Sequence, residues 1–330
     1  MRLFREKLQS QNVTSDVKHF EECEQLFTSV GGAYTVVALL HYFGMETLED
    51  SPHQHCPPCD ALHDDEDKKA YLDKVLDEFV SEYLTPSKQI SESECDELNE
   101  DQQLDRVREY SLCLMRLFFI LADFKRAVKL GNSDRLASLH KILLKHFKSD
   151  GGYNSYAIEM LISILQNEVF LTEAQAHQTR WASTANFKGG QNNLEIDLLQ
   201  ENINCELKKG IKGMGANKTS KAIKRLSMAA GGIMEIVNTF DLATGIKAKS
   251  SSHSHKSSLK DDNTIISDLL RVKPFETIDG RQHEGFPDAS SDTLSTLNYD
   301  AFHEWLKRHK RNLLKHGPLD LCSDDEDEMV

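Results

Sequence analysis

The chain has 330 residues, 39% of them apolar and 28% charged, and a formal net charge of −14 at pH 7. That length accommodates one large or two medium domains with a real core, and the apolar fraction excludes a wholly disordered chain. The acidic balance excludes general polyanion binding by the whole molecule and leaves room for one local basic face.

The opening residues, Met1-Arg2-Leu3-Phe4-Arg5-Glu6, lack the apolar run of a secretory leader. Seven scattered cysteines, Cys23, Cys56, Cys59, Cys95, Cys113, Cys205 and Cys322, are an odd number and fit a reducing compartment. An intracellular protein, nuclear or cytoplasmic, is expected. The longest apolar run, from Cys113 to Ala122, is interrupted by Arg116 and falls short of the roughly 18 residues of a membrane span. No membrane partner is therefore expected.

Helical periodicity dominates and strand alternation is scarce, so the chain reads as mainly α, with roughly ten helices and little or no sheet. Residues 33 to 43 are apolar enough for a buried helix. A Pro/His/Cys loop follows, then an amphipathic helix from about Asp67 to Leu84 that Thr85-Pro86-Ser87 stops. Residues 87–101 are acidic and polar and read as a linker. The longest helix runs from Gln103 to Leu130, apolar nearly all round between Leu112 and Phe124. Gly131-Asn132-Ser133 ends it and caps the next helix, where Leu136, Leu139, Leu143 and Phe147 form a stripe. Asp150-Gly151-Gly152 is a turn, and Tyr153 to Phe170 is another striped helix. Thr172 and Gln175 have capping-box spacing at the start of a short helix that carries Trp181. Further on, the Ser/His/Lys tract 247–262 lacks packing residues and reads as flexible. A short helix from Ile265 to Val272 and a last one from Tyr299 to His316 complete the set. The domain expectation is an amino-terminal helical segment 1–86, the linker 87–101, a main helical domain 102–316 and an acidic disordered tail 317–330.

The loop between the first two helices crowds His53, His55, Cys56, Cys59 and His63 together. Cys-Pro-Pro-Cys has the gap that lets two thiolates reach one zinc ion, with imidazoles completing a tetrahedron. Zinc is thus the candidate metal, although no later ligand pair supplies the usual second half. A polar loop with coincidental cysteines is the competing reading, and a redox pair a third.

Between Leu104 and His309 several spaced residues stand in a recognisable order. They are Phe147 with Tyr153-Asn154-Ser155-Tyr156-Ala157-Ile158-Glu159; Trp181 and Asn186; Asn193, Asp197-Leu198, Glu201 and Asn204; Gly215-Ala216-Asn217; Gly280-Arg281 with His283 and Phe286-Pro287; and Phe302, Trp305 and His309. In these residues the chain resembles the metazoan branch of an uncharacterised eukaryotic family, domain of unknown function 6589. Members of that family are often associated with transposon-derived genes. The resemblance implies common descent and a carboxy-terminal piece of a larger parent, with no established mechanism. At Leu199 and Asn202 the family commonly places histidines, and both are absent here.

On a helix from Asn193 to Lys208, Ile196, Leu199, Ile203 and Leu207 share one face and are expected to pack. Asp197, Glu201, Asn204 and Lys208 share another. Two acids one turn apart repel unless a cation lies between them. They are either relics of a divalent-metal site of the kind used in phosphodiester chemistry or a solvated face beside Lys208. Downstream, Lys208, Lys209, Lys212, Lys218, Lys221, Lys224 and Arg225 follow with no acid between them. On a second helix, with Asn217 as its cap, Ile223, Leu226, Ala230, Ile233, Val237 and Phe240 form the apolar stripe. Lys218, Lys221 and Arg225 then project from the opposite side. Such a face contacts phosphates of DNA or RNA, or is a solvated surface that also suits an acidic protein segment.

No residue is given a catalytic role, because no Gly-x-Ser-x-Gly, Gly-Lys-Ser/Thr or His-Glu-x-x-His motif occurs. The expected function is a non-enzymatic interaction protein touching nucleic acid through the basic face, transposon-derived on the strength of the resemblance. The alternatives are a remnant of a metal-dependent transposase or nuclease, and a helical scaffold that binds protein partners.

Overall fold

A computed structural model describes residues 20–57, 64–85, 104–149, 154–186, 189–216, 218–244 and 259–316. They form ten α-helices and one two-residue strand pair, so the protein is mainly α. The helices are α1 Phe20–Tyr42, α2 Asp65–Phe79, α3 Arg106–Leu130, α4 Ser133–Ser149, α5 Asn154–Leu165 and α6 Glu173–Trp181. After the antiparallel pair β1 Thr184–Ala185 and β2 Leu194–Glu195 come α7 Ile196–Gly213, α8 Ser220–Thr244, α9 Leu259–Val272 and α10 Tyr299–His316. Single π-helical turns extend α2 through Val80–Leu84 and α5 through Gln166–Phe170. The linker 87–101, the 150–152 turn and the tail 317–330 lie outside the described residues, as does most of the 247–262 tract. Residues 259–262, counted with that tract, form the first turn of α9.

The chain divides into two compact units. One comprises Met1–Asp123, Lys141–Ile162 and Ser257–Val330, the other Phe124–His140 and Ser163–Lys256.

In the first unit α1 packs along α9, and their buried faces join α2 and α3 in one core. Val30, Ala33, Tyr34, Val37 and Ala38 of α1 meet Val75, Phe79 and Tyr83, Leu112 and Met115, and Ile265 and Leu269. Cys23–Tyr42 is a 20-residue stretch with mean hydropathy 1.2, long and apolar enough to cross a membrane. This corrects the expectation that no segment approaches that length. Thr28, Ser29, Gly31 and Gly32, small and nearly neutral, interrupt the apolar side chains of this stretch, so no unbroken apolar run marks it in the sequence. Its buried stripe is part of the core of this unit. Helix α1 also tolerates little crowding, because a Cβ on Gly31 would fall 2.2 Å from Cδ2 of Phe118.

The acidic run Asp64-Asp65-Glu66-Asp67 is a helix start. The Asp64 carboxylate accepts a hydrogen bond from the Asp67 amide at 2.8 Å, and Asp65, Glu66 and Asp67 occupy the first turn, where the helix dipole favours negative charge. Arg116, which interrupts the apolar run of α3, is buried and donates to the backbone carbonyls of Leu84, Thr85 and Ser291. It thereby serves the orphan carbonyls where the π-turn after α2 ends. Burial lowers its pKa, and the neighbouring Glu109 and Asp292 charges oppose that shift.

Asp105 caps α3 by accepting from the amides of Val107 and Arg108, each at 3.0 Å. The same carboxylate holds Arg281 at 2.7 Å and accepts from the Ile278 amide at 3.0 Å. Burial works against the charge on Asp105, but the Arg281 hydrogen bonds and the amides outweigh it, so the carboxyl pKa is lowered. Helix α10 closes this unit by burying Phe302, Trp305, His309 and Leu313. The Lys148 ammonium lies 4.8 Å from the centre of the Trp305 ring.

In the second unit Ala127 and Val128 of α3 pack on Leu136 and Leu139 of α4. Between them Gly131 takes φ 65° and a Schellman motif forms: Gly131 N–H donates to the Val128 carbonyl and Asn132 N–H to that of Ala127. Asn132 then caps α4 by accepting from the Arg135 amide at 3.1 Å. The capping box at α6 is formed as expected, with both the Thr172 and the Gln175 side chains engaged.

Candidate nucleic-acid interface

The candidate region begins with the hairpin between β1 and β2. Asn186 Oδ1 accepts from the Gly189 amide, Asn186 Nδ2 donates to the Gly190 carbonyl, and Asn192 Nδ2 donates to that of Gly189, each at 2.8 Å. Gly189 and Gly190 both have positive φ, which glycine adopts without strain. Asn193 Nδ2 donates to the Lys129 carbonyl at 3.0 Å and so ties the hairpin to the end of α3. Two of the family-like asparagines, Asn186 and Asn193, are thus occupied in shaping the backbone.

Helix α7 starts at Ile196, three residues later than its periodicity suggests, because Leu194 and Glu195 pair with β1. The expected packing face is corrected in part. Leu199 and Leu207 are half-buried, but Ile196 and Ile203 are exposed. The stripe facing α8 instead continues from Leu207 to Gly210 and Ile211, and a Cβ on Gly210 would meet Leu226 Cδ2 at 3.0 Å. That close approach of α7 and α8 leaves their other sides to solvent.

Asp197, Glu201 and Asn204 are all exposed. Glu201 and Asn204 share a groove of ≈ 460 Å³ with Cys205, Lys208, Lys209 and Lys212; Asp197 does not line it. The carboxylate and amide of the acidic-face candidates and three of the basic candidates therefore lie on one side of α7. A 100° step per residue leads to this result, since 201, 204, 205, 208 and 212 fall on one stripe. Cys205, an exposed free thiol between Glu201 and Lys208, also lines the groove, and no motif in the sequence marks it.

Helix α8 begins at Ser220, and its cap is Thr219, whose hydroxyl accepts from the Ala222 amide at 3.2 Å. This corrects the assignment of Asn217, which lies outside the described residues. Lys218 accordingly precedes the helix, while Lys221, Lys224 and Arg225 lie on it. All seven basic candidates, Lys208, Lys209, Lys212, Lys218, Lys221, Lys224 and Arg225, are exposed. On α8 they are continued by Met228, 80% exposed and one turn beyond Lys224 and Arg225. Of the α8 stripe, Ile223 and Leu226 are half-buried; Ala230, Ile233, Val237 and Phe240 have side chains outside the description.

The His/Cys loop is arranged differently. His55 stacks on Tyr42 with ring centres 3.9 Å apart, and its Nδ1 lies 3.3 Å from Glu78 Oε2. The Cys56 thiol donates to the Pro52 carbonyl at 3.0 Å, and the His53 amide to that of Phe43 at 2.9 Å. Cys59 and His63 lie outside the described residues. Among the described residues no group of three His, Cys, Asp or Glu side chains converges as a metal site. Cys23, Cys56, Cys113 and Cys205 are free thiols.

The fold and this site define a helical protein with a solvent-facing basic surface on a helix pair. A model of the family of unknown function DUF6589 matches residues 2–253, more than half of the chain, and the protein belongs to that family. The match takes in α1 and α2, which the resemblance between Leu104 and His309 left aside. It stops short of the Gly280, Arg281, His283, Phe286, Phe302, Trp305 and His309 anchors. No curated protein and no solved structure matches the chain.

Proposed function

We propose that this protein is a non-enzymatic interaction protein that contacts the phosphodiester backbone of DNA or RNA through the α7/α8 face. One observation carries the reading: seven lysines and arginines between Lys208 and Arg225, with no acid among them, are all exposed. Exposed ammonium and guanidinium groups gain by releasing condensed counterions from a nucleic acid, a term that needs no base recognition. The overall charge of −14 limits such contact to local basic surfaces and repels polyanions elsewhere. Asn204 adds an amide able to hydrogen-bond phosphate or sugar oxygens. A transposon-derived ancestry, which the family resemblance implies, is consistent with a DNA-contacting role. An intracellular location, nuclear or cytoplasmic, belongs to the same reading. Contact with a membrane does not, because the apolar stripe of α1 packs within its own unit.

The test is binding of a fluorescent duplex and a fluorescent single strand across a salt series, with wild type beside K218E/K221E/K224E/R225E. Wild type is expected to bind with a steep salt slope that the variant loses. Failure of wild type to bind either strand at low salt would overturn the reading and leave a protein-binding scaffold in its place.

A further inference from the structure

The first unit carries a second basic surface, on α10. After Glu304 that helix has no acid, and Lys307, Arg308, Lys310, Arg311 and Lys315 are all exposed. Its opposite side is fixed in the unit by Phe302, Trp305, His309 and Leu313, spaced 3-4-4 and each buried. Trp305 lies beneath the Lys148 ammonium, and its carbonyl is 3.0 Å from His309 Nδ1. The Thr296 hydroxyl, just ahead of the helix, donates to the Ser149 carbonyl at 2.8 Å.

As a string, Lys307-Arg308-His309-Lys310-Arg311 is the kind of short basic run read either as a nuclear address or as a nucleic-acid patch. The structure separates the two. An address peptide presented as an extended strand would require α10 to unwind, withdrawing His309, Trp305 and Leu313 from their buried positions. Held as a helix, the run buries its histidine and directs its cations outward. Lys307, Arg311 and Lys315 then recur every four residues, about 6 Å apart along the axis, near the rise of roughly 7 Å over two phosphates of one DNA strand. Lys310 sits beside Arg311, whose planar guanidinium suits two oxygens of one phosphate. Lys307 is already paired with Glu304 at 2.7 Å, so Lys310, Arg311 and Lys315 are the principal contacts.

We infer that the outer ridge of α10 is a second nucleic-acid-backbone site, carried by a different unit from the α7/α8 face and independent of it. Its ligand is the phosphodiester backbone of a duplex, recognised by charge and spacing and not by base sequence. A chain with two such surfaces contacts polyanions at two points, which raises avidity wherever one strand reaches both.

The experiment uses the full chain and a fluorescein-labelled duplex of random sequence, titrated across a salt series. K310E/R311E/K315E and the charge-neutral K310Q/R311Q/K315Q are compared with wild type, with circular dichroism verifying that each is folded. The glutamate variant is expected to bind at least about tenfold more weakly at low salt, and its salt slope to fall by about 2–3, the value for three phosphate contacts. The glutamine variant should show the same slope change with a smaller loss of affinity. K218E/K221E/K224E/R225E reports on the other face. Loss there with wild-type behaviour in both α10 variants sinks the α10 site and leaves the α7/α8 reading standing; the converse does the opposite. Wild-type affinity and slope in both folded α10 variants, or competition by poly-glutamate as effective as DNA at equal charge, overturns the proposal. So does loss of nuclear accumulation without loss of DNA binding.

Discussion

Gly31 carries a constraint that its neighbour Gly32 does not. A Cβ at Gly31 would collide with Cδ2, Cγ and Cβ of Phe118, the last at 2.9 Å, whereas a Cβ at Gly32 meets nothing within 4 Å. The Phe118 Cβ is set by the backbone of α3, so the clash cannot be relieved by turning a ring. Gly31→Ala is expected to destabilise the fold by about 1–3 kcal/mol, the usual cost of overpacking. Gly32→Ala should stabilise by up to about 1 kcal/mol, because alanine favours helix. Chemical denaturation of the two variants beside wild type checks both, and equal midpoints would show that α1 and α3 are not in close contact. Neither glycine is distinguishable from the other in the sequence. Arg281 teaches the same lesson: it meets Asp105 across 176 positions, a separation over which no local pattern predicts a partner.

At the scale of elements, local chemistry was the better guide. Thr172-x-x-Gln175 forms its capping box because every group in it lies within one turn. Thr172→Ala is expected to cost about 1 kcal/mol of stability, with hydrogen exchange accelerated first at the amides of α6. An unchanged exchange pattern in α6 would mean that tertiary packing alone holds that helix. Gly131-Asn132-Ser133 was legible for the same reason, and Tyr299–His316 has the bounds that its pattern implies. The difference lies on the packing face of α7. Ile196, Leu199, Ile203 and Leu207 share one face of an ideal helix, yet Ile196 and Ile203 are exposed while Leu199 and Leu207 are half-buried. Which part of that face is buried depends on where α7 and α8 meet, at Gly210 and Leu226.

At the scale of the whole molecule, histidine burial links stability to pH. Burial lowers the pKa of His41, His140 and His146 below 6.5, with Glu82 and Glu276 opposing the shift at His41 and Asp292 opposing it at His146. The unfolded chain therefore takes up protons on these rings before the folded one does, so stability is lost as pH falls below 6.5 and is regained above it. The thermal midpoint should drop between about pH 7.5 and about pH 5.5, ahead of any carboxylate titration. A flat profile over that range would show the rings to be solvated. Electrostatics on this scale also frames the basic surfaces: on a chain of net charge −14, a run of lysines forms a site only where folding turns its cations to one side.

The sequence by itself determined the helical class, most helix bounds, the caps at Thr172 and Asn132, and the concentration of positive charge between Lys208 and Arg225. Each of these depends on residues within one or two turns, whose geometry the backbone imposes. Tertiary structure decided the rest. It made Arg116 a buried donor instead of a break in a helix, joined Asp105 to Arg281, and buried His309 within a basic run to leave a ridge of cations. Those outcomes rest on contacts between segments far apart in the chain, which packing and burial select and periodicity does not encode.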